Sequence, residues 1–237
     1  MPLPSPAPDS DHFAHREGVA REVWLPSHEA ALLQAACDRQ GVTLFSGLLT
    51  GFLVLLCGYG DQRDLVVATP TAGRREAGSH RLIGCFVNTV LLRLDLRDNP
   101  SLAQLTLRCQ DTVREALGRE RVALTDVVSR LPRTTTNAMG RPANVMLVQN
   151  NAPFDPSEFA GLRAERHRMP PSAVQRDWTV NVAQTDSGLQ GEFEHAAHFS
   201  DRDIAVAQQR LTTAWRLVAT ALDTPFEEAV RETAEHY

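Results

Sequence analysis

The sequence predicts an α/β fold in which a mixed β-sheet is flanked by helices. Three patterns indicate it. Residues 90–96 place apolar side chains at every second position, as in a half-buried strand. Residues 102–117 carry apolar side chains every three or four positions, which is typical of an amphipathic helix. "VMLV" at 145–148 is a continuous apolar run, which indicates a strand covered on both faces.

The first quarter of the chain predicts a leader and two helices. Residues 1–21 begin with a proline-rich segment that has little to bury, so an extended leader is expected. Ser27 can cap a helix to about Asp38, ended by Gly41, and Thr43 can cap an apolar helix to about Cys57. The apolar side of the first helix is predicted to consist of Leu32, Leu33, Ala36 and Cys37.

The middle of the chain predicts two strands and two helices. "LVVATP" is a short strand that Pro70 is expected to stop, and a glycine-rich loop, "TAGRREAGSHR", follows it. The second strand buries Val90, Leu92, Leu94 and Leu96. Ser101 begins the amphipathic helix, and a shorter helix spans about 124–131.

The last part predicts a hairpin and a long helix. "WTVNVAQ" and "LQGEFEH" alternate with period two and are joined by "TDSG", where Gly188 can adopt positive φ. A helix from Asp201 follows, and Pro225 marks its end. We therefore expect one folded domain over residues 22–222 and a tail, 223–237, with room for a short helix.

Composition excludes several classes of function. The net charge of −5 argues against nucleic-acid and anionic-membrane partners, which favour a basic face. No signal peptide is evident, and the apolar run 44–57 is too short to cross a bilayer. The four cysteines are widely spaced and show no CxxC pair, so reduced core thiols in a cytoplasmic protein are expected.

No catalytic motif or metal site is predicted in this chain. GxSxG and GxGxxG are both absent. "EFEHAAHFSD" is rich in acidic residues and histidines, but strand alternation puts Glu192 and Glu194 on one face and His195 on the other. Asp201 is better explained as the N-cap or first turn of the last helix.

Several segments, in the same order, resemble the C-terminal half of a nonribosomal peptide synthetase condensation domain, within the chloramphenicol-acetyltransferase-like superfamily. "IGCFVNT" matches that family's IGxFVNT motif, and "VMLVQNNAP" resembles its strand ending in Gln-Asn. "DWTVNVAQTDSGLQGEFEHAAHFSDRDI" resembles its last hairpin and the start of its last long helix. The resemblance implies one half of a two-subdomain fold, with a tunnel between the subdomains.

The chain also departs from that family. "RERVALT" stands where the family usually has His-Gln-Asp-x-Pro-Phe-Glu, so Arg119 and Arg121 replace the histidine and the aspartate. The family's catalytic HHxxxDG belongs to the N-terminal half, and this sequence has no adjacent pair of histidines. The chain alone is therefore not expected to form amide bonds.

Six residues are candidates for binding, four of them polar side chains in or beside the strands. Asn88 has the parity of the buried positions of its strand, so it either bonds backbone within the fold or faces the tunnel that the resemblance implies. Gln149 and Asn150 present the same choice, and Thr89 is expected beside Asn88 on the tunnel wall. Arg74 and Arg75 follow a flexible glycine and either approach a phosphopantetheine phosphate or a partner carboxylate, or lie in a solvated loop.

Two functions are consistent with these observations. The first is the C-terminal half of a split condensation enzyme, paired with a separate N-terminal half or another synthetase subunit, acting on phosphopantetheine arms of carrier proteins with no cofactor bound covalently. The second is a noncatalytic scaffold that docks carrier proteins or a synthetase. A third interpretation is a portion excised from a larger synthetase. In each case an apolar face left open by the missing half should promote self-association.

Overall fold

The computed structural model describes residues 18–74, 76, 78–132, 142–150 and 173–235, and its centre is a six-stranded mixed sheet with the order β1-β6-β5-β4-β2-β3. The strands are β1 (Gly18–Pro26), β2 (Asp64–Thr71), β3 (Asn88–Asp95), β4 (Val145–Asn150), β5 (Trp178–Thr185) and β6 (Gly188–Ala196). The helices are α1 (Ser27–Gln40), α2 (Leu44–Cys57), α3 (Leu102–Gly118), α4 (Leu124–Arg130), α5 (Asp201–Thr220) and α6 (Phe226–Glu235). The mixed sheet flanked by helices is therefore confirmed.

The sheet combines antiparallel edges with a parallel centre. β1 pairs with β6, β6 with β5 and β2 with β3, all antiparallel, whereas β4 runs parallel to both β5 and β2. One face of each strand contributes to a single core together with α2. Every residue of α2 except Phe45 is buried. Trp215 of α5 anchors that helix on α2 by donating from Nε1 to the carbonyl of Leu48 at 3.1 Å.

Caps and turns fix several element ends where the sequence predicted them. Thr43 is the N-cap of α2, and Ser101 forms a capping box with Gln104 at the start of α3. Gly41 ends α1 in the left-handed region at φ 68°. Gly188 follows the hairpin turn at φ 127°, where a β-carbon would lie 2.1 Å from the carbonyl oxygen of Leu25.

Other element ends differ from the predictions. Ser27 is the first residue of α1 rather than its cap, since Pro26 occupies the N-cap and no side chain of the described residues caps the helix. Leu32, predicted on the apolar side of α1, is 49% exposed, and Ala30 is buried instead. Ser200 caps α5, which leaves Asp201 in its first turn.

Pro70 does not stop β2, which continues to Thr71. A proline cannot donate a ladder hydrogen bond, and it is tolerated inside a sheet only where no donor is needed. The register between β2 and β4 contains one pair, Ala68 with Met146, so Pro70 lies beyond the part of β2 that is bonded to β4.

Both ends of the described chain join the fold. Gly18–Arg21, within the predicted leader, already belong to β1 and pair with β6. The predicted tail contains α6, in which Phe226 and Ala229 are fully buried, and Arg63 ahead of β2 holds Glu227 of α6 with two hydrogen bonds of 2.6 and 2.9 Å. Residues 1–17 lie outside the described residues.

In the described part of the chain, no single helix is both long and apolar enough to cross a membrane. Only α1 and α2 taken together, with a bend of 109° between them, meet those two criteria. α2 is a core helix in this fold, because its residues from Ser46 to Cys57 are all buried.

Candidate functional site

Two adjoining clefts open beside the sheet, the first at the carboxyl ends of β2 and β4 and the second between the loop after β2 and the segment after α3. The first has a volume of about 460 Å³ and the second of about 510 Å³, both within the range of ligand sites. They share Gly73 and Glu120. The remaining residues of the first cleft are Thr43, Phe45, Thr69, Pro70, Thr71, Ala72, Arg74, Val90, Leu92, Val113, Leu117 and Gln149. Those of the second are Glu76, Phe86, Val87, Asn88, Arg121 and Ala123.

The first cleft lies where β2 and β4 diverge from each other and the last turns of α3 leave space above them. β2 and β4 are joined only at Ala68 and Met146, and the next residues, Thr69, Thr71 and Gln149, line the opening. The apolar stripe of α3 is buried at Leu102, Leu105 and Cys109, but its last part, Val113 and Leu117, is only half-buried and faces the cleft. The result is a mainly apolar space with hydroxyl and amide groups at its sheet side.

α2 and α3 are joined at the rim of this cleft by one glutamine. The Gln110 side-chain oxygen accepts hydrogen bonds from the Thr43 backbone N–H at 2.9 Å, the Thr43 hydroxyl at 3.0 Å and the Ser46 hydroxyl at 2.9 Å. These bonds fix the start of α2, and with it Phe45, against α3.

Asn88 bonds backbone within the fold, which was the first of its two predicted alternatives. Its side-chain NH₂ donates to the carbonyls of Glu120 and Val122, both at 2.7 Å, and its side-chain oxygen accepts from the Thr89 N–H at 2.9 Å. These bonds tie the start of β3 to the segment after α3. Asn88 thereby shapes the second cleft, which it also lines.

The other polar candidates divide by strand parity. Gln149 lines the first cleft. Thr89 and Asn150 follow Asn88 and Gln149 directly, so their side chains point to the opposite face of the sheet and line neither cleft.

Arg74 is engaged by its own loop. Its guanidinium donates to the carbonyls of Ser79, of Leu82 at 3.0 Å and of Gly84 at 3.1 Å, and it lies 4.4 Å from the ring centroid of Phe86. Arg74 therefore organises residues 79–86 rather than standing free in solvent, although it lines the first cleft. Arg75 lies outside the described residues.

Glu120 has a position in the site that no sequence pattern indicated. It is 8% exposed and forms the wall between the clefts, and next to it Arg121 makes an ion pair with Glu76. The available signal was its place in "RERVALT", directly after an amphipathic helix. Burial of a carboxylate there depends on contacts far away in the sequence.

The ionisable groups of the clefts are Arg74, Glu76, Glu120 and Arg121, and no histidine or cysteine among the described residues lines either cleft. Burial raises the pKa of Cys37 to about 11 and of Cys57 and Cys109 to about 12, so these thiols stay protonated and unreactive. Cys85, contrary to the expectation of four core thiols, is exposed. The clefts can hold an apolar chain with amide groups, but their described lining offers no imidazole to accept a proton.

The histidine-rich segment separates as its alternation predicted. Glu194 accepts a hydrogen bond from Asn181 at 2.7 Å, and burial raises its pKa. His195 is 1% exposed on the other face, beside Phe199. Within the described ranges, no three His, Cys, Asp or Glu side chains are grouped so that they could hold a metal ion.

Among curated proteins, this chain is similar to nonribosomal peptide synthetases. The chain is 32% identical over 229 residues to phosphinothricin tripeptide synthetase PhsB of Streptomyces viridochromogenes, covering 94% of this chain and 19% of that protein. It is 28% identical over 202 residues to malpinin synthetase of Mortierella alpina, covering 85% of this chain and 3% of that protein. The chain thus spans a small part of these relatives.

Solved structures share the fold. The X-domain from teicoplanin biosynthesis superposes with a TM-score of 0.80 at 21% identity, covering 93% of this chain and 51% of that one. The first condensation domain of the CDA synthetase gives a TM-score of 0.74 at 21% identity, covering 92% and 49%. The α/β architecture is consistent with the chloramphenicol-acetyltransferase-like superfamily. Because residues 2–234 match the model of the condensation domain, this chain belongs to the condensation-domain family of nonribosomal peptide synthetases.

Proposed function

We propose that this chain is the C-terminal half of a split condensation enzyme in nonribosomal peptide biosynthesis. Its partner would be an N-terminal half that carries HHxxxDG, on a separate chain or another synthetase subunit. The pair would act in the cytoplasm on two carrier proteins, whose phosphopantetheine arms are substrates rather than cofactors of this chain.

The observation that carries the proposal is the extent of the match. Nearly all of this chain, 92–93%, superposes on only 49–51% of the condensation domain and the X-domain. In agreement with this, the sequence has no adjacent histidines, and none of the described residues that line the clefts is a histidine. A proton acceptor for amide formation would have to be supplied by the partner.

The proposed reaction joins an acyl thioester to an amine. The amine nitrogen attacks the thioester carbonyl carbon, a C–N bond forms, the C–S bond breaks, and the proton lost by the amine is balanced by the one gained by the departing thiolate. This chain would supply one wall. Phe45, Leu92 and Leu117 would contact apolar parts of the substrates, and Gln149 with the cleft threonines would bond their amide groups.

The test is reconstitution. This chain is co-expressed with an N-terminal condensation half that carries HHxxxDG, the complex is isolated by size exclusion, and amide product from two loaded carrier proteins is measured by mass spectrometry. We expect a stable complex that forms product and no product from either half alone. Absence of both complex and product would refute the proposal.

The second candidate is a noncatalytic docking protein that keeps the fold. The segment after α3 favours it, because Arg121 occupies the place of the family's aspartate and is used in an ion pair with Glu76. This function predicts a complex with a synthetase or carrier protein but no amide product in the same assay.

A further inference from the structure

Polar atoms without a hydrogen-bond partner are buried away from the clefts, beside the hairpin of β5 and β6. Among the described residues, the buried side-chain atoms of this kind are Arg21 Nε, Gln40 Oε1, Tyr59 Oη, Trp178 Nε1, His195 Nε2 and Arg210 Nε. Trp178 and His195 are each only 1% exposed. A buried donor or acceptor that stays unpaired weakens a fold, so these atoms require an explanation.

Three of these atoms belong to rings that pack around Trp178. The ring of Tyr59 meets that of Trp178 edge-on, with 5.1 Å between their centroids. Trp178 of β5 pairs directly with His195 of β6, so both side chains point to the same face of the sheet. The ring of Phe199 packs on both, with centroid distances of 5.7 Å to Trp178 and 6.4 Å to His195. The three unpaired atoms therefore lie in one aromatic cluster of the core.

The hydrogen-bonding character of each atom limits what can bind it. Nε1 of the Trp178 indole can only donate. Nδ1 of His195 lies 3.0 Å from the carbonyl oxygen of Ala196, which can only accept, so Nδ1 carries the ring proton and Nε2 of the neutral imidazole is an acceptor. The Tyr59 hydroxyl can both donate and accept. A ligand that satisfies all three must accept one hydrogen bond and donate another.

We propose that Trp178 Nε1, His195 Nε2 and the Tyr59 hydroxyl bind one ordered water molecule inside the core. Water accepts from Trp178 and donates to His195, whereas an anion has no proton for His195 and a metal ion cannot accept one from Trp178. Rings with centroids 5.1–6.4 Å apart leave no room for a larger polar molecule. Three partners is the usual number for a buried water. The water would join β5, β6 and the segment after α2.

The test uses the full chain and begins with Tyr59→Phe, which removes only a hydroxyl. If that hydroxyl bonds the water, its loss should raise the unfolding equilibrium constant in urea by about two- to tenfold. A buried hydroxyl without any partner weakens the fold, so its removal would instead lower that constant. The sign of the change therefore distinguishes a hydrated site from a dry one.

A double-mutant cycle tests whether Tyr59 and His195 share one ligand. His195→Asn keeps a donor near the place of Nδ1 and removes Nε2. We expect the two changes together to raise the unfolding constant less than the product of their separate effects, by about threefold or more. Tyr59→Phe combined with Trp215→Phe is the control, because Nε1 of Trp215 donates to the Leu48 carbonyl. That pair should agree with the product within about twofold.

A crystal structure of the wild-type chain identifies the ligand directly, even if a variant fails to fold. We expect density for one water within about 3.2 Å of Trp178 Nε1 and His195 Nε2. An ion at this place, direct hydrogen bonds of these atoms to other protein groups, or a Tyr59→Phe chain that is more stable than the wild type would each overturn the proposal. No step uses a partner half, so the proposed function is tested separately.

Discussion

Single side chains decide where the clefts lie, and Asn88 is the clearest case. A regular strand directs it inward, and the sequence left open whether it meets backbone or a tunnel. The structure uses all its hydrogen-bonding groups locally, on two carbonyls and one N–H. An amide so engaged holds the segment after α3 beside the start of β3.

Replacing Asn88 by alanine should therefore loosen the segment after α3. The carbonyls of Glu120 and Val122 lose this donor, and because the first belongs to a buried residue the change costs about 1–3 kcal/mol of unfolding free energy. Urea denaturation measures the loss, and hydrogen exchange should rise at residues 119–123. Thr89→Ala, on the opposite face of β3, is the control and should change stability by less than about 0.5 kcal/mol. Equal losses in both variants would contradict this explanation of Asn88.

The lowered pKa of His195 predicts how the stability of the chain depends on pH. Burial is the main cause that lowers its pKa below the ordinary 6.5, with Arg21 acting in the same direction and the bond to the Ala196 carbonyl opposing it. The unfolded chain therefore binds the proton more readily than the folded chain. This contribution to stability is fully present above pH 6.5 and is lost as the pH falls through the lowered folded value.

The measurement is the unfolding free energy in urea between about pH 7.5 and pH 5, where histidine titrates. The wild-type chain should lose stability as the pH falls, and His195→Gln, which cannot titrate, should show a flatter profile. His28→Gln is the control, because the His28 side chain is 74% exposed. A profile unchanged by His195→Gln would show that other groups cause the acid sensitivity.

At the scale of elements, close contacts depend on glycines that the sequence does not distinguish from others. Gly51 lies where α2 crosses α5, and a β-carbon there would be 2.4 Å from Cδ1 of Trp215. Trp215 is fully buried and bonded to Leu48, so it cannot move aside at little cost.

Gly51→Ala should destabilise the α2–α5 contact in spite of the better helix propensity of alanine. Overpacking of this kind costs about 1–3 kcal/mol, measured as a lower thermal midpoint. Gly118→Ala, at the end of α3 with no described atom within 4 Å of the new β-carbon, should be neutral or slightly stabilising. A stabilised Gly51→Ala protein would show that α5 can shift freely on α2.

At the scale of the whole molecule, the sequence predicts the features that depend on neighbouring residues, but not the contacts between distant parts of the chain. The alternation of β3, the cap at Ser101 and the turn at Gly188 depend on neighbours in the sequence, so they appeared as predicted. β1 was missed because it pairs with β6, which lies about 170 residues later in the sequence. The first cleft was missed for a similar reason, since it arises where β2 and β4 share only one residue pair.

At this scale, the chain without a partner is expected to associate with itself through its exposed aliphatic side chains. Leu82, Ile83 and Val87 on the loop before β3, and Val122 after α3, are exposed aliphatic side chains, and burying them against a second copy removes apolar area from water. Light scattering after size exclusion should show a mass that rises with concentration in the wild-type chain. Leu82→Ser combined with Ile83→Ser should shift the chain toward monomer, whereas Leu32→Ser, at a residue of α1 that is 49% exposed, should leave association unchanged. A wild-type chain that stays monomeric at every concentration, and remains so when the HHxxxDG-bearing half is added, would show that this surface needs no cover and would count against a split enzyme.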